Sequence, residues 1–163
     1  MKKILLVITL LLSFAHIKAQ VSYGDNFLVD YNVKINLTTE NSLVFLVVIL
    51  KSERYKMTSE PKLLLRLMDN TVISLNGELL DSTSKYEGSY MIGNVSFAEN
   101  LFITEAKFPI SKEQVESLFK GVKKLRLNTL PKYHEREWEI DKIGKKLYKK
   151  YKDSSSNSFE DDF

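Results

Sequence analysis

No cysteine occurs anywhere in the 163 residues. Its absence excludes disulfides, thiolate catalysis, cysteine metal sites and lipoproteins acylated on a cysteine. Small extracellular domains commonly lean on disulfides, so this chain has to hold itself together by core burial. Histidine is nearly as scarce, with only His16 and His134. A site needing two or three imidazoles therefore cannot be built around His134 alone. There is no G-x-S-x-G elbow to give His134 a serine partner, and its simplest reading is a solvated residue after the Pro131 turn. Arginines are few and no nucleic-acid-binding module is recognisable, which argues against nucleic acid as a partner. Beyond the N-terminus the longest apolar run is the eight residues Leu43 to Leu50. A bilayer-spanning helix needs about 20.

What is present begins with an export signal. Lys2 and Lys3 precede an apolar stretch, Ile4 to Ala15, broken only by Thr9 and Ser13. That pattern fits a cleavable secretory signal peptide over residues 1–19, cut after Ala19, with a cut after Ala15 as the alternative. The expected address is periplasmic or secreted. Lys2, Lys3 and Lys18 leave with the signal, and the formal charge of +3 falls to zero, 21 basic residues facing 21 acidic ones. No global field then steers the protein to an anionic surface. One β-rich domain is expected over residues 20–152, followed by an acidic, serine-rich tail, 153–163, with too little apolar content to pack.

Within the domain, Phe27 to Leu37 reads as a strand, with Val29, Tyr31, Val33, Ile35 and Leu37 on one face. Leu43 to Leu50 (LVFLVVIL) is apolar on both faces and belongs at the centre of a sheet. Lys51 to Lys62 reads as an exposed charged loop. Asp69-Asn70 predicts a two-residue hairpin, and Asn76-Gly77 a second turn. Asp81 to Ser89 is polar and loop-like. Tyr90 to Phe97 and Leu101 to Phe108 read as strands joined by Ala98-Glu99-Asn100. Ser111 and Gln114 form a capping box for a helix over 112–120, with Val115, Leu118 and Phe119 apolar and Gly121 ending it. Tyr133 to Ile140 reads as a strand with Trp138 and Ile140 inward. Asp141 then caps a second helix over 142–152. The fold class is mainly β: an antiparallel β-sandwich or bent sheet with two short helices. The capped helix and polar tail argue against a membrane barrel.

The run DNTVISL (69–75), the later FPISKEQVESLFKGVKKLRL (108–127) and the signal ending in KAQ together resemble small, uncharacterised exported proteins of Gram-negative envelopes. The likeness covers roughly Leu63 to Thr129 and the signal. It implies a β-rich envelope domain and brings no active residues with it.

Three places carry candidate chemistry. Glu135, Glu137 and Glu139 share one face of a strand at roughly 7 Å spacing, a separation at which paired carboxylates hydrolyse glycosides if one is buried and protonated. Lys145, Lys149 and Lys152 belong to a basic amphipathic helix suited to an anionic surface. Tyr55 and Met57, in the charged loop, are candidates for partner contact. No cofactor or metal is implied. The residues point to a non-enzymatic binding or scaffolding module whose partner is an envelope protein or an anionic surface glycolipid. A periplasmic immunity or inhibitor protein and a glycan-acting hydrolase are the alternatives.

Overall fold

The computed structural model describes residues 21–22, 27–28 and 32–157. The expected signal peptide (1–19), Val29, Tyr31 and residues 158–163 of the tail lie outside the described residues. Among the described residues the fold is an antiparallel β-sandwich with helices at one end, as the sequence pattern implied.

The first sheet is built on β3 (Val33–Glu40) and β4 (Leu43–Ser52), joined by a two-residue turn in which Asn41 and Ser42 both take positive φ. That is the turn geometry matching strand twist in hairpins. β1 (Val21–Ser22) and β2 (Phe27–Leu28) both pair with β3. Phe27 and Leu28 therefore lie antiparallel beside Ile35 and Lys34 instead of continuing their strand. On the other side, β4 pairs with β9 (Val95–Ile110), which pairs with β8 (Glu78–Ile92) at the edge. The apolar run is thus central. Val44, Leu46, Val48 and Leu50 enter the core, while Phe45 and Ile49 on the opposite face are half-buried. The Lys107 ammonium covers Phe45, 4.2 Å from the ring centroid, and pairs with Glu40.

The second sheet has the order β12-β10-β6-β7, from β6 (Lys62–Leu67), β7 (Val72–Asn76), β10 (Val122–Leu127) and β12 (His134–Glu137). Its inward residues, Leu63, Leu65, Leu67, Ile73, Leu75, Val122, Leu125 and Leu127, join one core with Val33, Ile35, Leu37 and Phe108 of the first sheet. β5 (Lys56–Met57) and β11 (Thr129–Leu130) form a small ribbon between the sheets' ends.

The β6–β7 turn is longer than the two residues Asp69-Asn70 alone. The Leu67 N–H donates to the Thr71 carbonyl and the Asn70 N–H to that of Leu67, with Asn70 at φ 69°. This is the three-residue hairpin loop, a turn followed by a left-handed residue. The chain crosses back to the first sheet at Gly77. A Cβ there would lie 2.5 Å from the buried Phe108 ring and 2.8 Å from the Lys107 carbonyl oxygen. Strands that change sheet need such a close approach.

Helix α1 (Lys112–Ser117) begins with the capping box: Ser111 Oγ accepts from the Gln114 N–H, and Gln114 Oε1 accepts from the Ser111 N–H. Its last turn tightens into a 3₁₀ turn, Leu118–Lys120, which ends at Gly121 with φ 83° and ψ 153°, a region open almost only to glycine. Val115 and Leu118 are buried, but Phe119 is exposed and stacks edge-on against Tyr148. The terminal helix α2 (Gly144–Asn157) starts two residues later than the sequence pattern implied and runs five residues into the tail. Ile143 and Leu147 anchor it to the core.

Candidate functional site

The most prominent surface feature is the β8–β9 hairpin. β4 supports β9 only as far as the Ser52–Phe102 pair. Beyond it the two strands run on, paired only with each other, to Ile92 and Val95. At roughly 3.3 Å per residue this two-stranded arm projects about 20 Å past the sandwich. Its loop is Gly93-Asn94, with glycine at φ 62° in the first position, the requirement of a glycine-first two-residue turn.

The arm is apolar at its tip, and below it Lys85, Ser89, Ser96 and Asn100 are exposed. Met91, Ile92 and Val95 are 69%, 65% and 55% exposed, and Tyr86 lower down is 61% exposed. A monomer gains nothing by placing four such side chains in water, and a clustered apolar tip on a projecting element is the usual mark of a contact site. The sequence pattern missed this arm by dividing it into a loop and two strands. The signal was there in Gly93-Asn94, a hairpin dipeptide between Ile92 and Val95.

The residues singled out from sequence fall elsewhere. Met57 is 3% exposed and part of the core, so it has no free face for a partner. Tyr55 is half-buried, its ring edge-on to His134 at 6.1 Å. His134 itself is buried on the inward side of β12, not solvated. Lys145, Lys149 and Lys152 are exposed on α2. Lys152 donates to Glu116 at 3.2 Å, and that carboxylate together with Tyr148 and Tyr151 raises its pKa. Ile140 points outward, while Trp138 packs against the core.

Glu135 and Glu137 lie on the outer face of the second sheet, opposite Arg126 and Lys124 of β10. Arg126 Nε donates to Glu135 at 2.7 Å, and Lys124 reaches Glu135 at 3.4 Å and Glu137 at 3.6 Å. Arg126 holds the Glu135 carboxyl below its ordinary value; burial opposes it as the next largest effect, and Lys124 adds to the lowering. A general acid needs the reverse shift. Glu139 is exposed. Next to these pairs a shallow cavity of about 90 Å³ is lined by Leu64, Arg66, Val72, Lys124 and Arg126. A wider hollow of about 450 Å³ is lined by Glu60, Pro61, Lys62, Asn76, Gly77 and Asn128. Neither lining sets a nucleophile beside a base. Among the described residues no group of three or more His, Asp or Glu is placed to hold a metal ion. No described helix is long and apolar enough to cross a membrane, which says nothing of strands.

Comparison with family models, with curated proteins and with solved structures finds no match.

Proposed function

We propose that this chain is an exported, non-enzymatic binding module of a bacterial envelope, and that it docks an envelope protein through the tip of the β8–β9 arm. The observation that carries the reading is the exposed apolar cluster of Met91, Ile92 and Val95 at the end of a hairpin that the sandwich does not support. A two-stranded ribbon is marginally stable alone in water, and a partner that covers the tip offsets that weakness. The signal-peptide pattern of residues 1–19 supports the envelope address.

The test is affinity capture from envelope extract at low and moderate salt, with wild type beside a Met91→Ser/Ile92→Ser variant. One protein held by wild type at both salts and released by the variant supports the reading. Equal capture by both removes the tip from it.

The lysine face of α2 favours a second reading, contact with anionic glycolipid. Lys145 and Lys149 are exposed on the helix whose Tyr148 meets the exposed Phe119. That reading requires binding to anionic vesicles that fades as salt rises.

A further inference from the structure

We propose that a second copy of this chain pairs with the open edge of β8, the two β8 strands running antiparallel about a two-fold axis through Thr83. β8 is the last strand of the first sheet, and no described strand lies on its outer side. An edge of this length exposes a row of unpaired backbone groups, the template for strand addition. Proteins usually blunt such edges with bulges and charge. Here the two irregularities fall at Leu79/Asp81 and at Tyr86/Gly88, leaving Asp81 to Tyr86 as a regular stretch between them, with each of its residues exposed.

That stretch is self-complementary. With Thr83 opposite its own copy, Ser82 faces Ser84 and Asp81 faces Lys85, while Leu80, the extra residue of the first irregularity, and Tyr86 flank the paired stretch. The two-fold produces each unlike pair twice, so one contact carries two opposite-charge pairs, with Leu80 and Tyr86 of each copy at its ends. Leu80 and Tyr86 are both exposed in the single chain, at 48% and 61%. Asp81 and Lys85 stand on the same side of the sheet, because their partners on β9, Glu105 and Leu101, are four residues apart along one strand. Moving the axis by one residue in either direction separates Asp81 from Lys85. The charges that would repel a foreign strand at random therefore select this register and this partner. Isologous contacts of this kind are the commonest route to soluble dimers. The edge is the flank of the arm, away from Met91, Ile92 and Val95, so tip docking and self-pairing fail independently.

Sedimentation equilibrium of the whole processed protein at low salt tests the pairing. Wild type is expected to show a reversible dimer. Asp81→Lys and Lys85→Asp each turn two attractions into two repulsions and should weaken it by about tenfold or more. The double variant, Asp81→Lys with Lys85→Asp, restores both pairs and should recover it. A second measurement uses the absence of native cysteine: Thr83→Cys should crosslink to its own copy under mild oxidation, since directly opposed Cβ atoms sit about 4.5–5.5 Å apart. Asn94→Cys at the hairpin turn should not crosslink. A wild type that stays monomeric at every concentration, single variants that dimerise as well as wild type, a folded double variant that does not recover, or equal crosslinking at 83 and 94 would each overturn the proposal.

Discussion

Asp141 Oδ1 accepts the N–H groups of Val122, Ile143 and Gly144, and its Oδ2 accepts that of Lys145. One side chain thus caps α2 and fastens it to the first residue of β10. Partial burial pushes the carboxyl up, but the four N–H donors outweigh it and hold the pKa below its ordinary value. A depressed folded-state pKa stabilises above the unfolded value, about 3.9, and that contribution is lost as pH falls through the folded value. Asp69, held at about 2 by Lys120 and Thr71, carries the same sign. Wild type should therefore lose stability from roughly pH 4 downward. Asp141→Ala should cost about 1–2 kcal/mol at neutral pH and flatten part of the acid slope, read from urea melts between pH 2.5 and 7.

Gly77 is a second residue with a single tolerated identity. Gly77→Ala drives a methyl into the buried Phe108 ring and the Lys107 carbonyl, and should destabilise by about 1–3 kcal/mol. Part of that loss should return in a Phe108→Leu background, where the ring is gone, and a double-mutant cycle of denaturant midpoints checks the coupling. Residues whose partners are a few positions away were readable from the sequence. The Ser111–Gln114 box and the Asp141 cap are such cases, because short-range hydrogen bonding settles them. Met57, His134 and Phe119 were not. Whether each is buried depends on β11, on Tyr55 and on α2, none of which its own neighbours specify.

Among the elements, β4 and the β8–β9 hairpin sit at opposite ends of the same rule. The run LVFLVVIL announces a strand flanked by others, and β4 has β3 and β9 on either side. Asp81 to Tyr86 has no apolar alternation, and each of its residues is exposed at the edge of the sheet. Its strand character comes from pairing with β9 alone, which a period-two search for a buried face does not detect. The same fact predicts its dynamics. Amides of Tyr86 to Asn100 have no third strand to protect them, and local opening should dominate their exchange. Hydrogen exchange should label this segment at least about a hundredfold faster than Val44 to Leu50, given that core strands exchange only near global unfolding. If the tip docks a partner, adding that partner should slow the arm and leave β4 unchanged.

For the molecule as a whole, the core and the arm are separable. Among the described side chains, every fully buried large one belongs to the sandwich or its helices, and none of those described in 85–101 is among them. The two sheets enclose that core without disulfides or a metal cluster among the described residues, so stability rests on the inner faces and the two capped helices. A variant that joins Lys85 to Leu101 through Asn-Gly removes the arm at a natural pair of the register and closes it with a favoured two-residue turn. It should keep the far-UV signature of the sandwich and melt within a few degrees, about 5 °C, of wild type, since little apolar area leaves the core. Under the proposed docking through the tip, capture of an envelope protein should disappear with the arm. Self-association should persist in weakened form, because Asp81, Thr83 and Lys85 stay while Tyr86 is lost. A large drop in melting temperature would instead make the arm a structural part of the sandwich, and the exposed tip would then need an explanation in folding and not in recognition.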